Sequence, residues 1–138
     1  MKSLFTLSFI PRSVDFGLLV LRLWLGLTML LNHGLDKASH FAEMAKKFPP
    51  IIYNSQMSLG LVVFAEVGCS VLLIIGLLSR FASLALAINM GVAFFVAHHA
   101  SLAASSPPPG SGELAFIYLA GYVALFFSGP GKLSADKA

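Results

Sequence analysis

Five ionisable side chains within or beside the apolar segments of the chain are the candidates for binding a ligand or moving a proton. They are His33, Lys37, Glu66, His98 and Glu113. Imidazole and carboxylate groups can exchange protons at working pH, and they hydrogen-bond the carbonyl groups of bound molecules. Because these residues are far apart in the sequence, a site exists only where the fold brings them together.

Three of these residues also form a candidate metal set. Two histidines with a carboxylate, here His33, His98 and Glu113, suit Zn, Fe or Cu. The same set can instead hydrogen-bond a quinone or relay protons, and a third interpretation has histidines that reach only lipid headgroups. His99 directly follows His98, and the sequence leaves open which of the two faces the interior.

A charged residue, Arg22, lies inside the apolar run 18–37. An arginine at the centre of a membrane helix costs about 2.5–3.5 kcal/mol on insertion scales, so a partner is expected. At a rise of about 1.5 Å per residue, Arg22 and Glu66 fall at similar depths in two predicted helices. The sequence therefore predicts an Arg22–Glu66 ion pair. It either fixes helix register alone or lines a polar cavity in which Glu66 exchanges a proton.

The composition places these residues in a membrane. Of 138 residues, 57% are hydrophobic and 11% are charged, against about 45–50% and about 25% in soluble domains. The length predicts a single domain spanning residues 1–138. The net charge of +3 comes from scattered Lys and Arg residues without a basic stripe, so no nucleic-acid partner is expected. The lone Cys69 excludes paired-cysteine redox chemistry within the chain.

Four apolar segments are each close to the roughly 20 residues that a membrane-spanning helix needs. They run from about Val14 to Asn32, Met57 to Leu78, Phe81 to His98 and Glu113 to Ser128. The predicted fold class is therefore all-α, an integral membrane four-helix bundle. Within the third segment, Asn89 lies in a row of alanines four residues apart, which indicates a close helix contact with one polar clasp.

The distribution of positive charge predicts the orientation, since cytoplasmic loops carry the excess of Lys and Arg. With four spans, both termini share one side with the turn between the second and third segments. That side holds Lys2, Arg12, Arg80, Lys132 and Lys137, and the other holds Lys37, Lys46 and Lys47. Both termini are therefore predicted to be cytoplasmic, and the candidate histidines lie toward the outer face.

A series of short blocks, in order, resembles the DoxX family of small bacterial membrane proteins. The blocks are Leu21-Arg22, His33-Gly34-x-x-Lys37, Ala65-Glu66-Val67-Gly68, Gly76-Leu77-Leu78-Ser79-Arg80, Val92-Ala93 with His98, Gly112-Glu113 and Gly129-Pro130-Gly131-Lys132-Leu133-Ser134-x-Asp136. The family pattern has one histidine at the end of the third helix, which aligns with His98. The resemblance implies a four-helix bundle in the bacterial inner membrane. Members have been linked to thiosulfate:quinone oxidoreductase as a small subunit, to thiol and oxidative stress, and to resistance against quinone-like compounds.

The leading functional hypothesis is therefore a redox-associated membrane protein that binds a quinone-type molecule, with a metal ion as the less favoured cofactor. In that hypothesis His33 and His98 contact the ligand, while Glu66 and Glu113 handle protons or orient the histidines. The alternative is a non-catalytic subunit that anchors a larger membrane complex or a homo-oligomer. A small transporter is a third possibility, for which four helices are few. The expected surroundings are the lipid bilayer, with a possible membrane or periplasmic protein partner.

Overall fold

The computed structural model describes residues 1–108 and 110–136. Pro109, Lys137 and Ala138 lie outside the described residues, and Lys137 is one of the five positive charges counted for the cytoplasmic side. The described residues form helices and no strands. Six helices follow one another: α1 Lys2–Thr6, α2 Val14–Ser39, α3 Phe41–Ala45, α4 Ser55–Ile75, α5 Ser79–Ala97 and α6 Glu113–Ser128.

Three of the described helices are long and apolar enough to cross a membrane. They are α2 with 26 residues, α4 with 21 and α5 with 19, and the apolar α6 is shorter. Helices α5 and α6 pack along each other, α2 packs against α4, and α2 also contacts α6. The predicted all-α membrane bundle is confirmed, with α6 as its short fourth member.

Local capping explains where the long helices begin and end. The Ser13 side chain accepts a hydrogen bond from the Phe16 backbone N–H at 3.2 Å, which caps α2. The Asn54 side chain caps α4 in the same way through Met57. Gly76, at a left-handed φ of 76°, ends α4, so that helix stops before the predicted Leu78.

The core lies between the helices, and large apolar side chains cover the outside. Met29, Leu73, Leu86 and Tyr122 are fully buried, whereas Trp24 is 70% exposed. An apolar outer surface matches the hydrocarbon of a bilayer, because lipid-facing residues need no polar partner there.

The C-terminal segment 129–136 ties one end of the bundle together, and we call it the latch. The Asp136 carboxylate accepts hydrogen bonds from the backbone N–H groups of Leu78 and Ser79, both at 2.8 Å. The Lys132 backbone N–H donates to the Asp15 carboxylate at 2.9 Å. The start of α2, the α4–α5 turn and the latch therefore meet at the same end, as four antiparallel spans require.

Candidate functional site

Each of the three long helices contains a π-helical segment. These segments are Leu30–Gly34 in α2, Phe64–Cys69 in α4 and Ala93–Ala97 in α5. They carry His33 and Glu66 and lead directly into His98. Single π-helical turns within α-helices are rare and occur frequently at functional sites. Here the segments of α2 and α4 contact each other, and all three segments contribute a residue to the wall of one cavity.

A cavity of about 220 Å³ lies among these segments. Its walls come from α2, α4, α5, α6 and the loop before α6. They consist of Met29, His33, Lys37, Glu66, Met90, Ala93, His98, Ser111, Leu114, Ala115 and Tyr118. The structure therefore brings together four of the five predicted site residues, His33, Lys37, Glu66 and His98, around one space.

The carboxylate of Glu66 is the buried charge of this cavity. Glu66 is only 2% exposed. Oε2 lies 2.7 Å from the Lys37 ammonium, and Oε1 accepts a hydrogen bond from the Asn89 amide at 3.1 Å. Lys37 keeps 21% of its side chain exposed, so the pair sits between the interior and the surface.

The predicted Arg22–Glu66 ion pair is wrong, because each residue has other partners. The Arg22 guanidinium is fully buried and donates to four backbone carbonyls, at the end of α4 and in the latch. The acceptors are Leu73, Ile74 and Pro130, each at 3.1 Å, together with Leu133. The last carbonyls of a helix lack intrahelical donors and carry partial negative charge, so they suit a cation.

The direction of the side chains explains why Glu66 pairs with Lys37 and not with Arg22. Side chains on a helix tilt toward its N-terminus. Arg22 therefore points toward the latch end, and Lys37 points back into the bundle. Glu66 lies on the antiparallel α4 and tilts the opposite way, toward Lys37. Lys37 can reach it because α2 continues to Ser39, seven residues past the predicted end at Asn32.

The two cavity histidines have different surroundings. The His33 ring meets Tyr118 edge to face, with centroids 5.8 Å apart. Nδ1 of His98 lies 3.2 Å from the Gly110 carbonyl oxygen. Because a carbonyl only accepts, this contact places a proton on Nδ1 and leaves Nε2 of the neutral ring as an acceptor. His99 is exposed and does not line the cavity, so His98 is the inward residue.

The predicted metal set does not assemble. Glu113 lies in the first turn of α6, is exposed and does not line the cavity. Among residues 1–108 and 110–136, no group of three His, Cys, Asp or Glu side chains is placed to hold a metal ion. The prediction that His33, His98 and Glu113 converge on a metal is therefore wrong, although the two histidines do share the cavity.

Two contributors to the site were not among the predicted residues. Tyr118 lines the cavity, and Asn89 hydrogen-bonds Glu66. Asn89 was interpreted as a packing clasp, yet a lone amide in an apolar helix opposite a buried carboxylate is a signal for such a bond. Tyr118 has no comparable signal in the sequence.

Gly34 lets the π segments of α2 and α4 touch. A Cβ atom at this position would lie 2.8 Å from the Glu66 carbonyl oxygen and 2.9 Å from its carbon. No other residue type fits there without moving the backbone that carries Glu66. The His33-Gly34 pair therefore joins a cavity residue to the contact that positions the carboxylate.

Comparison with known proteins agrees with this architecture. A family model described as DoxX matches residues 17–99. No curated protein and no solved structure matches the chain. The matched region includes Arg22, His33, Lys37, Glu66 and His98. The family resemblance is thereby confirmed, and the chain belongs to the DoxX family as an α-helical membrane protein.

Proposed function

We propose that this DoxX-family protein binds a quinone-type ring in the cavity between His33 and His98, as part of a membrane redox system. The observation that carries the proposal is the cavity itself. It is a partly enclosed space inside the bundle, and its polar groups come from α2, α4, α6 and the connection between α5 and α6. Pockets for drug-sized ligands measure about 300–1,000 Å³, so a space of about 220 Å³ suits one compact ring.

The polar groups on the wall fit a ring that carries oxygen at its edge. The Glu66 carboxylate is already paired with Lys37 and Asn89. The groups left for a ligand are the remaining N–H bonds of Lys37, the His33 imidazole, the Tyr118 hydroxyl and Nε2 of His98. The first three can donate to a quinone carbonyl, and Nε2 can accept from the hydroxyl of the reduced ring.

The same groups suit the proton side of quinone chemistry. Reduction of a quinone to a hydroquinone takes up two electrons and two protons, one on each oxygen. His33 can deliver a proton as a general acid, and His98 can take one back through Nε2 when the reduced ring is oxidised again. The electrons come from a partner oxidoreductase in this proposal, and the chain binds and protonates the ring.

The proposal places the protein in the bacterial inner membrane with both termini in the cytoplasm. Arg12, Arg80 and Lys132 are exposed at the latch end, on the side that the charge rule assigns to the cytoplasm. The cavity lies toward the opposite end of α2, and the ring would then be held in the outer half of the membrane.

A second candidate is a non-catalytic subunit that anchors a larger complex. Within residues 1–108 and 110–136, a Cβ built on Gly60 of α4 or Gly91 of α5 meets no heavy atom within 4 Å other than those of its own stretch of helix, so these surfaces suit a helix of another chain. Small residues allow close helix approach in membranes. Co-purification of a partner in mild detergent supports this candidate, and a single monodisperse species that still binds quinone counts against it.

The binding test uses the full chain in lipid nanodiscs and menadione, a ring without a hydrocarbon tail. Isothermal titration should show saturable binding, and His33→Ala and His98→Ala should each weaken it roughly tenfold, the cost of about one lost hydrogen bond to a ligand. The matched control is His99→Asn, because His99 is exposed and Asn tolerates its positive φ of 52°. Binding that is absent, or unchanged in both cavity variants, contradicts the proposal.

A further inference from the structure

A second apolar space lies on the outer side of the same helices. It is a groove of about 290 Å³ between α4 and α5, lined by residues that include Leu61, Phe64, Ile88 and Val92. Ile51 and Ile52 from the loop before α4 also line it. The Ser58 hydroxyl holds that loop by accepting from the Ile52 N–H at 2.8 Å and donating to its carbonyl at 3.1 Å.

The groove and the cavity are linked by a direct contact between one lining residue of each. Asn89 lines the groove, and its amide donates to Glu66, which lines the cavity. The adjacent residue in each helix lines the other space. Ala65, which precedes Glu66, lines the groove, and Met90, which follows Asn89, lines the cavity. Asn89 and Glu66 therefore form the partition between the two spaces.

Asn89 is polar and only partly buried in a groove that is otherwise apolar. Apart from Ser58, whose hydroxyl is already bonded to the loop, it is the groove's one polar residue. Its amide nitrogen is used by Glu66, and within residues 1–108 and 110–136 its Oδ1 has no hydrogen-bond partner. An unpaired acceptor at membrane depth is costly unless a donor reaches it.

We propose that the groove holds the hydrocarbon tail of the ligand whose ring occupies the cavity, and that the ring enters from the bilayer past Asn89 by parting the hydrogen bond between Asn89 and Glu66. This inference rests on the proposed function and specifies its substrate class as a lipid-soluble, tailed quinone. The cavity has room for the ring alone, and the groove is the apolar space next to it. Asn89 Oδ1 offers an acceptor to a ring hydroxyl at the crossing point.

The other large surface cavity does not fit the tail. It measures about 470 Å³ and lies at the latch end, where Arg80, Ser128 and Asp136 line it. Its charged wall and its distance along the helices from His33 separate it from the ring site. The groove between α4 and α5 is therefore the space to which the tail is assigned.

The test is photo-crosslinking with a decyl-tailed quinone that carries a diazirine at the end of its tail, on the full chain in nanodiscs. Peptides that contain residues 51–65 and 85–92 should carry the label, and excess menadione should suppress it because the ring anchors the tail. Label on outward residues such as Phe95 and Ile117, not suppressed by menadione, overturns the tail assignment. If menadione still needs His33 in that case, the proposed function stands without the groove.

A filled groove provides the second measurement. Ala85 is a small, partly buried residue of the groove wall, and Ala85→Phe should weaken binding of the tailed quinone roughly tenfold by steric overlap while menadione binding stays the same. The matched control is Leu84→Phe, since Leu84 is exposed on the same helix and outside the groove. Equal effects of the two variants on the tailed ligand overturn the inference. If the unmodified protein does not bind menadione, both proposals are overturned.

Discussion

Two buried charges lie at membrane depth in this protein, and their surroundings differ. Arg22 is enclosed by four backbone carbonyls from α4 and the latch, and it lines none of the three cavities described here. Glu66 is held by the side chains of Lys37 and Asn89, and it lines the cavity that contains both histidines. The charge fixed by backbone carbonyls ties helices and latch together, whereas the charge of Glu66 holds the Lys37 ammonium at the wall of the cavity.

The largest expected effect is on the structural side of this comparison. Arg22→Met removes the donors from four backbone carbonyls, two of them in buried contacts, so we expect a loss of stability of about 2–6 kcal/mol, at about 1–3 kcal/mol for each buried acceptor left unpaired. Thermal unfolding in detergent, followed by far-ultraviolet circular dichroism, measures it. Arg12→Met is the control, because Arg12 is exposed at the same end of the bundle. Equal unfolding temperatures for the two variants would contradict a structural role for Arg22.

Glu66→Gln should weaken ligand binding and lower stability by less than Arg22→Met does. The amide keeps the shape but leaves the Lys37 ammonium without its counter-charge, so we expect menadione affinity to fall roughly tenfold and stability to fall by about 1–3 kcal/mol. Adding Lys37→Met to Glu66→Gln should restore part of the stability, since no unpaired charge remains, but not the binding. Parallel titration and unfolding of the single and double variants check this. A double variant less stable than Glu66→Gln alone would rule out the pairing.

Gly34→Ala tests whether the contact between the π segments positions the carboxylate. The new methyl group would overlap the Glu66 backbone, and we expect destabilisation of about 1–3 kcal/mol from overpacking, together with weaker menadione binding. Gly17→Ala on the same helix is the matched control. In the described part of the chain, no heavy atom beyond its own stretch of helix lies within 4 Å of a Cβ built there, so the change should be neutral or stabilising by about 0.5–1 kcal/mol. Unfolding temperatures that shift in the same direction would refute this use of Gly34.

The smallest predicted effect concerns the latch and its pH dependence. Hydrogen bonds from the Ser79 and Leu78 backbone N–H groups, with a further contribution from Arg22, hold the pKa of Asp136 below its ordinary value. A carboxylate with a lowered folded-state pKa contributes stability above its unfolded pKa of about 3.9 and loses it as the pH falls through the folded value. Asp136→Asn should therefore lower stability at neutral pH by about 1 kcal/mol and flatten the acid dependence.

Unfolding of the unmodified protein and of Asp136→Asn between pH 7 and acid measures the difference. Asp36→Asn is the control, since Asp36 is exposed at the opposite end and its contact with His40 is a surface pair at 3.4 Å. That variant should change stability by less than about 1 kcal/mol. If the acid dependence persists in Asp136→Asn and disappears in Asp36→Asn, Asp36 carries the titration, and the prediction for Asp136 is contradicted.

Hydropathy and helical spacing were sufficient for the architecture and for part of the site. The apolar segments predicted the long helices, and the α2 face with Arg22, Gly26 and Met29 is buried as its spacing requires. The orientation prediction placed both candidate histidines toward the same outer face, and His33 and His98 do line one cavity. These features depend on periodicity and depth, which a single sequence contains.

The partners of the charged residues could not be predicted in this way. Depth alone matched Arg22 to Glu66, but side-chain tilt and the continuation of α2 to Ser39 decide that Lys37 reaches the carboxylate. The π segments depend on tertiary packing, and they have no period in the sequence. The latch binds Arg22 through backbone carbonyls, which every residue type has, so no side-chain pattern indicated it.

A structure of the full chain with menadione in nanodiscs tests the central claim most directly. The account predicts density for one ring between His33 and His98, beside the Lys37–Glu66 pair, with the four carbonyl contacts of Arg22 unchanged. A ring bound elsewhere, with the cavity among the π segments unfilled at saturating ligand, would contradict it.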